Sequence, residues 1–403
     1  MSATMNEDPV VIVAAARTPV AGLMGELAAW SAPKLGSVAI RAVLERSGID
    51  PEKVEQVLMG NVLQAGQGQG VARQAAVGAG LPNTVSAAAI SKVDGSGMQA
   101  IMLAYDQLLA GSCAVAIAGG MESMSQAPYL VPQARGGYRL GNGQLLDPVL
   151  VDGTLDASYK DEHGQPLPMV VMAEQCVRNY KLSRKDQDAF ATASNTRLQA
   201  ATESGVLAWE LAKVKGEGRD RTKVETDELP RKVVMARIPL LNPAVGAEGT
   251  ITSATTGAHA DGAAAVLMMR RSQAETLGLK PIATVLGHAN HGQRSEFFTT
   301  APVGAIFKLI GKLDWQPDQV DLWEINEAFA AIPLAVMDEL DIPHDKVNVH
   351  GGACAMGHPL GASGARVVVS LLGALRAQGK KRGIATVSIG GGEATAIALE
   401  LVD

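Results

Sequence analysis

Aromatic side chains are scarce in this 403-residue chain, which has only 5 Phe, 5 Tyr and 4 Trp. Small residues are plentiful instead, with 44 Gly alongside abundant Ala and Val. This composition indicates close packing of small side chains and many tight turns, as in α/β folds. Collagen and disordered chains are excluded, because long apolar segments recur throughout the sequence.

Cysteine is also rare in the chain. The three residues Cys113, Cys176 and Cys354 show no CxxC pairing, which argues against a zinc site and against a disulfide framework. We therefore expect no bound metal. Residues 1–9 are polar and acidic and lack the basic flank of a secretory signal. We also expect no membrane span, because no apolar stretch reaches ~18 residues, so a cytoplasmic location is predicted.

The chain as a whole is mildly acidic. The formal net charge is −6, and the scattered Lys and Arg residues form no basic patch of the kind that binds nucleic acid. At 403 residues the chain is long enough for two or three packed units. We expect a small-molecule substrate as its partner, with no nucleic acid and no membrane.

Two stretches of the sequence repeat one pattern with identical spacing. In each, a helical stretch is followed by a proline at a turn, an acidic residue and then the alternation of a strand. The matched positions are Pro51, Glu52, Val54, Glu55, Val57 and Met59 in the first copy, and Pro317, Asp318, Val320, Asp321, Trp323 and Ile325 in the second. A duplicated structural unit is therefore predicted.

The repeat continues into a helix and a second strand. Asp94-Gly-Ser-Gly97 opens a helix that leads into a strand over 114–118, and Gly361-Ala-Ser-Gly364 opens one that leads into a strand over 384–389. Apolar strands after amphipathic helices predict buried, largely parallel sheets with the helices outside. We expect two similar α/β halves that face each other.

The middle of the chain has a different character. Clustered Pro and Gly residues and the charged stretch 213–231 indicate a loop-rich insertion with a helical part near 173–198. We predict that this inserted loop domain covers the active site. The predicted boundaries are 1–128 for the N-terminal half, 129–250 for the insertion, 251–279 for a return segment that packs on the N-terminal half, and 280–403 for the C-terminal half.

Two polar residues are the first candidates for chemistry. His358 lies between glycines just before a helix, where an imidazole and backbone amides can converge on one oxygen. Asn326 follows a strand, where ligands collect in α/β sheets. A structural role stays open for both residues, since lone histidines are often structural and an asparagine also suits a helix cap.

Five segments of the sequence resemble the signature blocks of the thiolase family, and they occur in family order over essentially the whole chain. They are Gly119-Gly-Met-Glu-Ser-Met124, Asn326-Glu-Ala-Phe-Ala330, Gly351-Gly-Ala353, Gly357-His-Pro-Leu-Gly-Ala-Ser-Gly-Ala-Arg366 and Gly390-Gly-Gly392. The resemblance implies an α/β, thiolase-like fold of two duplicated, five-layered halves with an inserted loop domain. It also implies an acyltransferase that forms a homodimer or homotetramer.

The resemblance further implies Claisen exchange on coenzyme A thioesters, with no tightly bound cofactor. In the family, a cysteine at a helix N-terminus is acylated and a histidine activates it. An asparagine holds a water in an oxyanion hole, and a second cysteine moves the α-proton. His358 and Asn326 match the histidine and the asparagine, and amides near Asp94 and Gly390 match the second oxyanion hole.

This sequence departs from the family pattern at both cysteines. The family's Val-Cys-Gly-Ser-Gly reads Val93-Asp94-Gly-Ser-Gly97 here, and its Cys-Ile-Gly-Gly-Gly reads Ser388-Ile-Gly-Gly-Gly392. Three further departures are Thr255-Thr256-Gly257 for Asn-Ala-Ser, Met169-Val170 for Met-Gly, and Phe298-Thr-Thr-Ala-Pro302 for Met-Gly-x-Gly-Pro. The resemblance implies Asp94, His358, Asn326 and Ser388 as catalytic positions, and Met169, Gly257, Phe329 and Cys354 as residues of the substrate pocket.

The chemistry of Asp94 differs from that of a cysteine. A carboxylate at a helix N-terminus is expected to be ionised at neutral pH, and its acylation would give a mixed anhydride. Loss of the nucleophile from a unit that works together costs on the order of 10⁶ in rate. Cys354, four residues before His358, is a candidate substitute nucleophile, and the alternative is a small buried packing residue.

Three kinds of function therefore stay open. The first is a thiolase-like acyltransferase on acyl-CoA or 3-ketoacyl-CoA that works without the usual cysteine. The second is a carbon–carbon bond hydrolase or lyase on a β-dicarbonyl compound, with or without coenzyme A, in which Asp94 acts as general base. The third is a non-catalytic protein that binds acyl-CoA, or a variant inactivated at residue 94.

Overall fold

The structure of the protein, a computed structural model, describes residues 7–216 and 223–402. Part of the charged stretch 213–231 therefore lies outside the described residues. The strands are β1 Val10–Arg17, β2 Ala21–Gly22, β3 Gln56–Gly60, β4 Ser86–Ile90, β5 Val115–Ser123, β6 Leu155–Lys160, β7 Pro166–Pro168, β8 Val214–Lys215, β9 Lys223–Val224, β10 Ala260–Arg270, β11 Ala283–Gly292, β12 Leu322–Ile325, β13 Arg382–Ile389 and β14 Glu393–Leu401. The helices are α1 Ala32–Ser47, α2 Val71–Gly78, α3 Ser96–Leu109, α4 Pro148–Val151, α5 Met169–Asn179, α6 Arg184–Glu203, α7 Arg271–Thr276, α8 Ala301–Leu313, α9 Ala331–Leu340, α10 Ala353–Met356 and α11 Leu360–Gln378.

One large sheet runs through both halves of the described chain. Its strands follow the order β12-β13-β14-β11-β1-β10-β5-β3-β4, and β2 pairs with β10 beside this path. The junction between the halves is β1, which pairs with β10 along its length and with β11 at Val11 and Ile12. The two halves therefore share a continuous hydrogen-bonded backbone rather than only packed side chains.

The prediction of largely parallel sheets is wrong. Only β3 with β4, β3 with β5, and β12 with β13 are parallel pairs in this sheet, whereas the other pairs along the path are antiparallel. The cause of the error is burial. A strand covered by helices on both faces is apolar along its whole length whichever way its neighbours run, so an apolar run does not reveal strand direction.

The predicted thiolase-like α/β fold is confirmed, but its five layers belong to the two halves together and not to each half as predicted. Helices α3 and α11 pack against each other between the two halves of the sheet. Helices α1 and α2 cover the outer face on the β1, β3 and β5 side, and α8 and α9 cover the outer face on the β12 to β14 side. The expectation that all helices lie outside the sheets is therefore corrected, because α3 and α11 form the central layer.

Helix α11 is buried along most of its length. By length and composition it is apolar enough to cross a membrane, which differs from the expectation that no such stretch exists, yet 89% of its apolar window is buried inside the fold. Close packing on every side explains why its residues are apolar all round. Its place between the sheet halves makes it the central core helix, and it carries His358 just before its first turn.

The single helical stretch predicted near 173–198 is two helices, α5 and α6, and the short helix α4 precedes them in the insertion. The break follows from local chemistry: Lys181 adopts a left-handed φ of 51°, and Ser183 begins α6 with a capping box to Asp186. The insertion is tied to β1 through a buried ion cluster, in which Arg17 contacts Glu210 at 2.7 Å and Asp227 at 2.8 Å.

Candidate active site

A tight turn between β4 and α3 carries Asp94. Val93 has a φ of 45°, a left-handed conformation that is strained for a β-branched residue. The Ser96 hydroxyl holds the turn, because it accepts the Lys92 N–H at 2.8 Å and donates to the Val93 carbonyl at 2.6 Å. Asp94 is thereby fixed two residues before α3, at the helix's N-terminal end.

The carboxylate of Asp94 reaches the C-terminal half of the chain. Its Oδ1 lies 2.8 Å from His358 Nε2, and its Oδ2 accepts the Gly390 N–H at 3.2 Å. The side chain is only 3% exposed. Two donors that could stabilise a carbonyl oxygen are thus turned toward one carboxylate, with little solvent to weaken the interaction.

His358 is held from both of its ring nitrogens. Nδ1 lies 2.6 Å from Ser363 Oγ, which in turn lies 3.0 Å from the Pro359 carbonyl. The Ser363 hydroxyl can donate to Nδ1 when the ring is neutral, or accept from Nδ1–H and donate to Pro359 when the ring is charged. The imidazole can therefore gain or lose a proton without changing its position, as a general acid or base requires.

Asn326 approaches the same imidazole nitrogen, Nε2, as Asp94 does. Its Nδ2 is 3.4 Å from His358 Nε2, and its Oδ1 accepts a hydrogen bond from Arg366 Nη2 at 3.0 Å. Arg366 also donates to Glu324 Oε2 at 3.2 Å. Burial raises the pKa of Glu324 to about 8, although the charge of Arg366 opposes that rise. Asp94, His358 and Asn326 therefore surround one point.

Ser388 lies near the end of β13, two residues before Gly390. It is 2% exposed, and its Oγ has no hydrogen-bond partner among the described residues. An unpaired buried hydroxyl is uncommon in native structures. Among the described residues no hydrogen bond joins the Ser388 hydroxyl to Asp94 or His358, so its catalytic role stays a prediction.

The glycine turn after β13 is fixed by an aspartate that the sequence analysis does not single out. Asp156, in β6 of the insertion, accepts the Gly391 N–H at 2.9 Å and the Ser158 N–H at 2.7 Å. Met169 also approaches this turn, since a Cβ at Gly390 would lie 3.3 Å from its sulfur. The insertion therefore contacts the site through Asp156 and Met169.

The remaining predicted pocket residues lie close to the imidazole or to its neighbours. A Cβ added at Gly257 would come within 2.9 Å of the His358 Cβ, so only glycine fits there without displacement. Phe329 forms an isolated bridge with Thr256, next to Gly257. Cys354 lies on α10, and its N–H donates to Glu327 Oε2 at 2.9 Å.

Cys354 does not resemble an activated nucleophile. Burial and the neighbouring Glu327 raise the pKa of its thiol well above the ordinary value, so little thiolate forms at neutral pH. Its sulfur lies 3.8 Å from the Glu327 carbonyl. Burial likewise raises the pKa of Cys113, and that of Cys176 to about 11.

A cavity of about 510 Å³ opens beside this site. Its lining includes Cys354 and Ala258 at one end and the cationic side chains of Lys232 and Arg237 from the insertion. Asp94, Asn326 and His358 do not line the cavity; Ala258 of its lining accepts the His358 backbone N–H at 2.7 Å. Within residues 7–216 and 223–402, no cluster of three or more metal-binding side chains is present.

Family comparison agrees with the fold. The model of the thiolase N-terminal domain matches residues 10–272, and that of the thiolase C-terminal domain matches residues 279–401. The chain therefore belongs to the thiolase family of acyltransferase enzymes, which confirms the resemblance read from the motifs.

Individual relatives match over nearly their full length. The chain is 43% identical over 394 residues to the acetyl-CoA acetyltransferase of Cupriavidus necator, covering 97% of this chain and 99% of that protein. It is 42% identical over 398 residues to the cytosolic acetyl-CoA acetyltransferase of Gibberella zeae, covering 98% and 99%. The crystal structure of an Ascaris suum thiolase in complex with coenzyme A is similar at a TM-score of 0.91 and 36% identity, covering 98% of this chain and 100% of that one.

Proposed function

We propose that this chain makes or breaks the carbon–carbon bond beside a coenzyme A thioester, as a Claisen or retro-Claisen acyltransferase that forms no acyl-enzyme at residue 94. The observation that carries the proposal is the 2.8 Å contact between Asp94 Oδ1 and His358 Nε2. A carboxylate and an imidazole at that distance form an acid–base pair. In this proposal Asp94 occupies the position of the family's nucleophilic cysteine, and Ser388 that of the second cysteine.

Coenzyme A as the carrier is supported by the cavity beside the site. Lys232, which pairs with Glu228, and Arg237 line it with two cationic groups suited to phosphate, and Ala258 of its lining is hydrogen-bonded to the His358 backbone. The related Ascaris suum thiolase is a complex with coenzyme A, and the relatives in Cupriavidus necator and Gibberella zeae are named for acetyl-CoA. Coenzyme A thus acts as substrate and not as a resident cofactor.

In the cleavage direction, the C3 carbonyl oxygen of a 3-ketoacyl thioester displaces Asp94 from His358 and is polarised by His358 and Asn326. Free coenzyme A gives its thiol proton to the displaced Asp94 carboxylate, and its sulfur bonds to C3. The C2–C3 bond breaks, the electron pair leaves as a thioester enolate, and C2 takes up the proton. The products are two acyl-CoA molecules, and the reverse sequence forms the bond.

Hydrolysis is the second candidate, because a carboxylate paired with imidazole activates water more readily than it replaces a thiolate. Water gives its proton to the pair, its oxygen bonds to the carbonyl carbon, and the carbon–carbon bond breaks to a carboxylic acid and an enolate that is then protonated. Gly257 brings no side chain that would contact a pantetheine arm, so a β-dicarbonyl substrate without coenzyme A also fits this reading.

One experiment separates these functions. Acetoacetyl-CoA and a panel of β-diketones are incubated in ¹⁸O-water, with and without free coenzyme A, and products are identified by mass spectrometry. Acetyl-CoA formed only when coenzyme A is added supports the acyltransferase, whereas ¹⁸O-labelled carboxylic acid supports the hydrolase. Binding of coenzyme A by calorimetry without any turnover would contradict both and leave the non-catalytic reading.

The control for this experiment lies on the same helix as the site. Asp94→Asn removes the base, whereas Asp106→Asn removes an exposed carboxylate that pairs with His288 at 2.9 Å. We expect turnover to be lost in the first variant and retained in the second. Equal rates for Asp94→Asn and wild type would exclude Asp94 as the base.

The proposal includes a homodimer or homotetramer in the cytoplasm. The edge strand β4 has β3 as its only partner among the described strands, and an unpaired edge of small residues favours pairing with another chain. Exposed apolar side chains also gather between β5 and α4; they are Tyr129, Val131, Tyr138, Leu140 and Leu145. The location is supported by the cytosolic relative in Gibberella zeae.

A further inference from the structure

A buried arginine lies behind Asn326, away from the imidazole. Arg366 Nη2 donates to Asn326 Oδ1 at 3.0 Å, while Asn326 Nδ2 lies 3.4 Å from His358 Nε2. The three residues are between 0% and 5% exposed. The carboxamide therefore lies between a guanidinium on one side and the reactive imidazole on the other.

The chemistry of the two groups fixes which way the amide points. A carboxamide has one acceptor end and one donor end, but a guanidinium carries only donors. Only one orientation of the Asn326 amide is therefore compatible with Arg366. In that orientation Oδ1 faces the guanidinium and Nδ2 faces His358. Rotation of the amide by half a turn would leave buried donors facing each other, which is strongly disfavoured.

Arg366 is itself held by a second buried group. Its Nη1 donates to Glu324 Oε2 at 3.2 Å, and both side chains are at most 3% exposed. Glu324 is on β12 and Asn326 directly follows that strand, while Arg366 lies on α11. One guanidinium thus joins the strand end and the central helix, and its two arms are both occupied.

We propose that Arg366 is the positioning residue that makes Asn326 a hydrogen-bond donor, so that Asn326 Nδ2 and His358 Nε2 together bind one substrate carbonyl oxygen. The inference rests on the proposed function for the identity of that oxygen, and it deepens the proposal by assigning the donor polarity of the site. Arg366 itself contacts neither the substrate nor the reacting atoms.

The test removes the ion pair as a unit. In Arg366→Met with Glu324→Met both members of the pair are removed together, and apolar replacement of a buried pair often preserves stability. The matched control is Arg382→Met with Glu400→Met, which removes the partly exposed pair at 2.7 Å between β13 and β14. Arg366→Lys is the conservative variant, since it keeps the charge and one donor.

Two affinities are measured by calorimetry for each protein, that of acetoacetyl-CoA and that of coenzyme A alone. Loss of the donor orientation should weaken the binding of acetoacetyl-CoA about tenfold, the equivalent of one hydrogen bond. The affinity for coenzyme A alone should not change. Turnover should fall on the order of 10²-fold, as when one oxyanion donor is lost. Arg366→Lys should regain part of both, and the control pair should match wild type.

The outcomes separate positioning from general damage. The inference would be overturned if the double methionine variant bound acetoacetyl-CoA and coenzyme A equally more weakly than wild type. It would also be overturned if neither affinity fell. An Arg366→Lys variant no better than the double methionine variant, although its melting temperature matches wild type, would overturn it as well. Wild-type protein that binds acetoacetyl-CoA without turning it over would overturn the proposed function alone, because the affinity comparison still tests the role of Arg366.

Discussion

At residue 94, a carboxylate holds the donors that a carbonyl oxygen needs. Asp94 accepts the Gly390 N–H and contacts His358 Nε2. A substrate oxygen therefore has to displace the Asp94 carboxylate before these two groups can polarise the substrate carbonyl. The exchange is favourable only if the displaced carboxylate finds a new role, and acceptance of a proton is the role that its chemistry allows. We therefore propose that residue 94 decides which reaction the rest of the site performs.

Restoring sulfur should restore covalent chemistry. In Asp94→Cys with Ser388→Cys, the thiol lies at the N-terminal end of α3 next to His358, where both the helix dipole and the imidazole favour the thiolate. We expect a stable acetyl adduct after incubation with acetyl-CoA, visible as a mass increase of the intact protein, together with thiolysis of acetoacetyl-CoA.

The comparison proteins are wild type and Asp94→Ala with Ser388→Cys, neither of which should gain an acetyl group at residue 94. An adduct on wild type at Asp94 would show that the carboxylate acts as a nucleophile after all. Absence of any adduct on the double cysteine variant would show that the scaffold has lost more than its two sulfurs.

Glu324 should make stability depend on pH. Burial raises its pKa to about 8 in the folded protein, above the ordinary ~4.3 of an unfolded chain. A raised carboxyl pKa stabilises the fold fully below ~4.3 and this stabilisation is lost as pH rises toward about 8. We expect the melting temperature, measured by calorimetry, to fall less between pH 5 and pH 8.5 for Glu324→Gln than for wild type. An equal fall in both proteins would contradict this assignment.

Sequence reasoning located the site residues that stand in motifs, and missed the residues that hold them. His358 and Asn326 are recognisable because glycines and a strand end surround them. Arg366 is visible in the same block, yet its contact with Asn326 spans 40 residues, and that of Asp156 with Gly391 spans 235. No local pattern encodes contacts of that range, so only the folded chain reveals them.

At the scale of elements, the central helix α11 can pack against β5 only because Gly361 and Gly120 meet where they touch. A Cβ added at Gly120 of β5 would lie 2.0 Å from the Gly361 carbonyl oxygen of α11, a distance that backbone atoms cannot tolerate. The close approach brings the start of α11, and with it His358, against the N-terminal half of the sheet. Packing at this point therefore positions the site.

Gly120→Ala should unfold or strongly destabilise the protein, by at least ~3 kcal/mol, because the backbones of two elements have to separate. Gly311→Ala is the control, since nothing lies within 4 Å of a Cβ there and alanine in a helix gains ~0.5–1 kcal/mol over glycine. Denaturant unfolding measures both, and equal stabilities of the two variants would contradict the close-approach argument.

Element type was easier to predict than element direction. The helix after Asp94 and the strand after it follow from apolar periodicity, which is a local property. Strand direction is not local: β10 runs antiparallel between β1 and β5, although it is buried like a parallel strand. Parallel and antiparallel pairing of such strands differ only in how the chain connects one strand to the next, and no single sequence segment contains that connection.

At the scale of the whole molecule, the duplicated halves supply different parts of one site. The N-terminal half contributes Asp94, the C-terminal half contributes Asn326, His358 and Gly390, and the insertion contributes Asp156 and Met169. Internal similarity in the sequence predicted the two halves. It did not predict that a single sheet joins them through β1 and β11.

Assembly should depend on the β4 edge. Ala88 is exposed on this strand, and a charge placed there would be buried against a second copy paired at the edge. We expect wild type to run as a dimer or tetramer by light scattering and Ala88→Glu to dissociate toward the monomer. A wild-type monomer, or an unchanged mass for the variant, would place the interface elsewhere or exclude it.

The central claim is that Asp94, His358 and Asn326 act on one substrate carbonyl without a covalent intermediate. A crystal soaked with acetoacetyl-CoA tests it most directly, through the position of the C3 oxygen. The account predicts that this oxygen lies within ~3.2 Å of His358 Nε2 and Asn326 Nδ2, with Asp94 moved aside and unmodified. An acyl group bonded to Cys354 or to Asp94, or a ligand bound away from these side chains, would contradict it.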